Sequence, residues 1–310
     1  MNIVAKLSMA TLVLTTASVA GLFPALSQTI KFGSTMNSAP APAFVAADKG
    51  LFKKHGLDVE MTFISIDPTS PPALVSNSIQ IGSMTPSIFL QAVDKGLDLV
   101  AIAGATVIDA KSTSFGIVAR EGIQAPADLI GKTIGVPGIG SVLHVMAREW
   151  LQNRGVDPTK VKFVEAMFPT HVDLLKSGRV DAVVSAYPFL ARAVSIAGGR
   201  VIGMQPKDFP SGKPVNVAVA TRAWAEANRD KVAAYQAAIR DAAKFSIENP
   251  QEYRAIMGRT LKQPAEAIAG LDLPVIDPAI TAEQLNWWID VLNRQNMLTS
   301  KVDTAKLIFR

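Results

Sequence analysis

Three arrangements in the chain have residue types and spacing that chemistry can use. Residues 134–151, IGVPGIGSVLHVMAREWL, read as a strand, a glycine turn and a helix. They bring Gly138, Gly140, Ser141 and His144 close together. Such a turn can cradle a phosphate. A serine beside a histidine can act as nucleophile and base. A glycine-bent helix N-terminus with a hydroxyl can also grip a small anion or polar oxygen with no reaction at all. The second arrangement is Gly131-Lys132-Thr133, the tail of a nucleotide-binding loop. The third is the set of histidines, His55, His144 and His171.

The enzymatic versions of each fail on spacing. A dinucleotide fingerprint needs a third glycine where this chain has Leu143, and leucine blocks the close helix–strand approach that glycine permits. A triphosphate loop needs glycine where Pro126 stands, and here Gly131-Lys132-Thr133 opens a strand rather than a helix. Ser141 and His144 are three residues apart on one helix, a spacing that does not aim an imidazole at the hydroxyl, and no G-x-S-x-G elbow is present. The histidines lack metal-ligand spacing, and His55 and His171 read as solvated helix ends. With no cysteine, thiolate nucleophiles, thiolate metal sites and disulfides are excluded as well. The expectation is therefore no catalysis, no cofactor and no metal. What remains is a clamp: Ser141 as N-cap, Gly138 and Gly140 turning free N–H groups toward a ligand, and a neutral His144 in reach of it.

The surrounding elements place this clamp. Residues 7–26 are uncharged and apolar, and Ala25-Leu26-Ser27 has the small residues of a signal-peptidase site, so export with cleavage after Ser27 is expected, Ala20 being the alternative. The formal charge of +5 is scattered, which argues against nucleic acid. Beyond the leader, short apolar strands alternate with helices of about ten residues, the pattern of mainly parallel sheets flanked by helices. Expected strands include 28–34, 57–64, 98–108, 132–136, 161–165 and 180–185, with a helical tail from Glu226. Two stretches echo each other. ALVSNSIQIGSMTPS at 73–87 and DLLKSGRVDAVVSAYP at 173–188 both read helix, turn, strand, proline. One such unit in each half suits two similar lobes sharing a cleft.

The ordered set APAFVAADKGLFKKHGLDVEM, ALVSNSIQIGSMTPS, ADLIGKTIGVPGIGSVLH, LLKSGRVDAVVSAYP and AVATRAWAEAN, behind a signal-like leader, resembles the substrate-binding proteins of ABC importers. The group is the nitrate, aliphatic sulfonate and taurine family, which shares its fold with thiamine-pyrimidine-synthase-like proteins. The resemblance implies a type II periplasmic-binding-protein fold: signal peptide 1–27, lobe 1 from 28–113 and 221–310, lobe 2 from 114–220, joined by two crossover strands. It implies a monomer outside the cytoplasm that delivers a small organic solute to a membrane permease. Carried over, its ligand positions are Ser34, Thr35, Met36 and Asn37; Asp67 and Thr69; Ser83, Thr85 and Pro86; Gly140, Ser141, Val142 and His144; Ala186, Tyr187 and Pro188. Tyr187 stands where many relatives have tryptophan, and no Lys or Arg falls in these loops. Two ligand classes stay open: a sulfonate or carboxylate held by hydroxyls and helix N-termini, or a neutral, pyrimidine-like heterocycle stacked on Tyr187. A pyrimidine-precursor enzyme on the same fold is the remaining alternative, set back by the missing cysteine motif of such enzymes.

Overall fold

The computed structural model describes residues 29–310; the expected signal segment lies outside the described residues. Among the described residues, ten strands make two five-stranded sheets. The first contains β1 (Ile30–Ser34), β2 (Val59–Phe63), β3 (Ile81–Met84), β4 (Leu99–Gly104) and β10 (Val217–Thr221), in the order β2-β1-β3-β10-β4. The second contains β5 (Phe115–Ala119), β6 (Thr133–Val136), β7 (Lys162–Glu165), β8 (Ala182–Ala186) and β9 (Arg200–Gly203), in the order β7-β6-β8-β5-β9. In each, β10 or β5 runs antiparallel to both neighbours while the other strands share one direction. β4 at one edge and β10 beside it are both buried on their two faces, which explains why LVAIAG (β4) and VAVAT (β10) are near-continuous apolar runs instead of alternating ones. The edge strand β2 keeps the alternating sequence, and its Phe63 is exposed.

The echoed segments hold matching places: β3 and β8 are each the third strand of their sheet, preceded by the short helices Ser70–Val75 and His171–Lys176. Sequence reasoning missed the helix Phe189–Ser195 and β9, both short and of mixed polarity. The helical tail begins earlier than Glu226, at Arg222, and breaks at Asn228 into Arg222–Ala227 and Arg229–Glu248. The expected boundary between 220 and 221 falls inside β10, all of which pairs within the first sheet.

Two segments connect the sheets, 105–114 and 204–216. They run antiparallel, with Val215 N–H donating to Thr106 O at 3.0 Å and Ile108 N–H to Lys213 O at 2.8 Å. A third segment, 271–280, lies along the first of them: Val107 N–H donates to Val275 O at 3.0 Å and Asp277 N–H to Ala105 O at 2.9 Å. This strap follows the helices Pro250–Leu261 and Ala265–Ala269 and precedes Ala282–Arg294.

The helix Val142–Gln152 of the second half packs on Pro86–Asp94 and Ala282–Arg294 of the first, so one hydrophobic cluster runs through both halves. Polar contacts mark the same joint. Gln91 Nε2 donates to Gly140 O at 2.9 Å, Gln295 Nε2 to Val145 O at 3.0 Å, and Arg294 pairs with the buried Glu149 at 2.7 Å.

Candidate functional site

A cavity of about 100 Å³ lies between the two sheets, beside the connecting segments. A single water occupies about 10–15 Å³ counted this way, so the space suits a small solute. Its walls come from the carboxyl ends of β1 and β3, the turn after β6, the connecting segments and the strap. That is where open α/β sheets bind ligands.

Of the residues expected at the site, Thr35, Asn37, Asp67, Thr85, Ser141, Val142 and Ala186 line this cavity. Asn37 Nδ2 donates to Thr35 Oγ1 at 2.9 Å, while its Oδ1 accepts Ala39 N–H at 2.8 Å, so the first loop is held rigid by its own side chain. Asp67 opens a 3-10 turn, Asp67–Thr69, with Pro68 fixing φ at the turn's second residue. Its Oδ2 accepts the N–H of Thr85 at 3.0 Å and the Thr85 hydroxyl at 2.5 Å. Burial pushes the Asp67 carboxyl up to about 6, against the opposing pull of those two hydrogen bonds. Among the cavity's lining residues are Asp67, Asp109 and Asp272 and no Lys, Arg or His.

The other expected residues sit elsewhere. Met36 is half-buried against the core under the first sheet. Ser83 donates from behind the wall to Asn216 Oδ1, and Asn216 itself lines the cavity. Tyr187 does not line it: a Cβ added to Gly270 would come 3.2 Å from the tyrosine hydroxyl, so this ring packs on the chain just before the strap.

The glycine turn works differently from the expectation. Gly140 takes φ +83°, the left-handed region that favours glycine, but its N–H is not free. It donates to His144 Nδ1 at 3.0 Å, and Ile139 N–H donates to Glu165 Oε1 at 3.1 Å. His144 is therefore a staple of the turn. Its ring stands edge-on to Phe163, and burial, helped by the nearby Arg148, lowers its pKa to about 4, so Nδ1 stays available as an acceptor. Ser141 occupies the N-cap position of Val142–Gln152 but makes no capping hydrogen bond. Its buried Oγ has no partner among the described residues, and the residue lines the cavity. Ser141→Ala is accordingly expected to leave stability within about 0.5 kcal/mol, since no cap is lost. Affinity should fall by one hydrogen bond, about 0.5–1.5 kcal/mol. Chemical denaturation beside titration calorimetry checks both halves, and a stability loss near 1 kcal/mol would restore the capping role.

Of the remaining histidines, His55 stands at the end of the helix Leu51–Lys54 as expected, whereas His171 differs from its expected surface setting. His171 starts its helix but is fully buried, with Nδ1 3.0 Å from Ser185 Oγ and Nε2 3.0 Å from Ala166 O. Both ring nitrogens are used, and burial lowers its pKa to about 4. His55 pairs with Asp241 at 3.0 Å. No group of three or more metal-ligating side chains occurs among the described residues.

Sequence reasoning missed Thr106, Ser112, Ser114, Asn216, Tyr253 and the strap residues 271–275. Only the proline-interrupted LDLPVIDP at 271–278 was available as a signal of irregular chain.

Comparison with known proteins decides the family. The model of the NMT1/THI5-like family matches residues 37–253, well over half of the chain. The chain belongs to the NMT1/THI5-like family. A formylaminopyrimidine-binding protein of Halalkalibacterium halodurans is 29% identical over 67% of this chain and 63% of its own length. The chain thus spans less than two thirds of that relative. The taurine-binding periplasmic protein of Escherichia coli is 27% identical over 77% of this chain and 71% of its own. The crystal structure of the periplasmic aliphatic sulphonate binding protein SsuA from Escherichia coli superposes with a TM-score of 0.72 at 22% identity, covering 90% of this chain and 97% of that one. That likeness establishes the two-sheet periplasmic-binding-protein fold.

Proposed function

We propose that the protein is an extracytoplasmic solute-binding component of an ABC importer, and that its solute is a small, neutral nitrogen heterocycle of the aminopyrimidine kind. The observation that carries the ligand class is the cavity's charge: a buried carboxyl at Asp67 and no cation on any wall. An anion placed there would lose its hydration, gain no opposite charge and face Asp67. A 4-aminopyrimidine edge offers one amino donor beside one ring-nitrogen acceptor. A carboxyl that titrates near 6 accepts from the amino group and, when protonated, donates to the ring nitrogen. The formylaminopyrimidine-binding relative supports this class. The taurine-binding relative supports a second one, in which an ammonium group meets Asp67 and the sulfonate is left to hydroxyls.

In this reading the two sheets belong to two lobes, with 105–114 and 204–216 as the hinge. A ligand touching both lobes favours the closed arrangement. Binding, transfer to a permease and release of an unchanged solute make up the activity, with no turnover. Native mass spectrometry of the exported protein, followed by release and identification of the solute, tests the ligand class. A nitrogen heterocycle recovered intact is expected. A sulfonate or nitrate would overturn the ligand class, and a chemically altered solute at catalytic rates would overturn the binding role.

A further inference from the structure

We infer that Tyr253 is a specificity-determining residue, its hydroxyl reading a hydrogen-bond acceptor on the solute from the side of the cavity formed by the C-terminal helices and strap. This rests on the cavity being the solute site. Tyr253 lies on the helix Pro250–Leu261, is completely buried and lines the cavity. Its hydroxyl has no hydrogen-bond partner among the described residues. Buried phenol hydroxyls find partners in folded proteins, so an orphan hydroxyl on a residue that lines a cavity points to a partner that arrives with the ligand. Burial also raises its pKa, which keeps the hydroxyl protonated and able to donate.

The same wall is completed by Leu271, Asp272 and Leu273 of the strap. Asp272 is tied to the hinge, its Oδ2 accepting Thr113 N–H at 2.7 Å and the Thr113 hydroxyl at 3.2 Å. A carboxylate only accepts, and the leucine side chains offer no hydrogen bond, so Tyr253 is the side-chain donor on this wall. Ser141, the other orphan hydroxyl of the cavity, sits on the turn after β6. Asp67 stands after β2. A solute is thus met by an acceptor at Asp67 and by hydroxyls from Ser141 and Tyr253.

The test uses the full exported chain, stripped of solute by unfolding and refolding, and four probes: 4-amino-2-methylpyrimidine, the same ring carrying a 5-formylaminomethyl arm, taurine and nitrate. Tyr253→Phe should bind the probe that carries an acceptor arm about two- to ten-fold more weakly than the parent, the loss of one hydrogen bond. The bare ring should change less than twofold. Without solute the variant should melt at or above the parent's temperature, because an unpartnered buried hydroxyl has been removed. A packing role would instead lower the melting temperature and affect all probes alike. If the formylated probe binds parent and Tyr253→Phe equally, the inference is overturned and the cavity reading stands. If only taurine binds the parent, the heterocycle class fails, and Tyr253 is judged by the same fold-change on taurine's sulfonate. If no probe binds the parent, both are overturned.

Discussion

Gly104→Ala is expected to destabilise the protein by about 3 kcal/mol or more and to abolish solute binding. Gly104 ends β4, and its N–H donates to Pro278 O at 2.9 Å. A Cβ at this position would overlap the backbone carbonyls of Asp277 and Ala279. Backbone on the far side cannot rotate out of the way as a side chain can, so the strap must lift. Lifting it breaks the Val107–Val275 and Asp277–Ala105 hydrogen bonds and the 2.7 Å bond from Gln284 to Asp277. It also takes away a cavity wall. Overpacking a core typically costs about 1–3 kcal/mol, and a clash with fixed backbone belongs at or beyond the upper end. Gly82→Ala is the control. Its added Cβ meets only side-chain ends, Met84 Cε at 3.2 Å and Leu74 Cδ1 at 3.3 Å, which can shift. Urea denaturation and calorimetry on both variants decide. A Gly104→Ala protein as stable as Gly82→Ala, with unchanged affinity, would show that the strap is not a wall of the site.

How far the sequence revealed this arrangement follows from which interactions are local. Most strands, β9 excepted, were legible along the chain because period and run length are properties of contiguous residues: β4 and β10 read as strands from their apolar runs. The echo between 73–87 and 173–188 was legible for the same reason, and it marks equivalent strands of two sheets built on one plan. Ser141 was legible in the glycine turn itself, whereas Asp67 and Thr85 were reached only through the family resemblance; all three follow strand ends and line the cavity. The turn's mechanism was not legible. Nothing in Gly138-Ile139-Gly140-Ser141 says that His144 curls back to consume the Gly140 N–H, or that the Ser141 hydroxyl is left unpartnered beside the cavity instead of capping its helix. Tyr253 and the strap were invisible for a different reason. They reach the site across more than a hundred residues of chain, and a tyrosine on an amphipathic helix carries no local sign of which cavity its hydroxyl meets.

Asp67→Asn should weaken solute binding at least tenfold while making the solute-free protein more stable at neutral pH. The Asp67 carboxyl is raised from 3.8 to about 6 by burial. Between these values the folded state holds a proton that the unfolded state has released. Folding stability therefore falls as pH rises from about 4 to about 6, and above 6 the full cost of the buried charge is present. Two pKa units correspond to roughly 3 kcal/mol. Asparagine keeps the oxygen that accepts the Thr85 N–H and hydroxyl but carries no charge, so the variant escapes that cost. Its stability advantage over the parent should be about 1–3 kcal/mol at pH 7.5, allowing for the new amide's unmet donors, and should shrink to nothing near pH 4. His144 and His171 titrate in the same window with the opposite sign, since their pKa values are lowered to about 4 and their protonation at low pH opposes folding. They are present in both proteins, so the difference between variant and parent isolates Asp67. Binding moves the other way because the amide no longer accepts a donor with the strength of a carboxylate, and it cannot pass a proton to a ring nitrogen. Denaturation curves at pH 4.5, 6 and 7.5, with calorimetry at pH 7.5 using the formylated aminopyrimidine, read both effects. A variant less stable than the parent at pH 7.5 would mean that the buried charge is compensated in the solute-free protein. A variant that binds as tightly would remove Asp67 from the site.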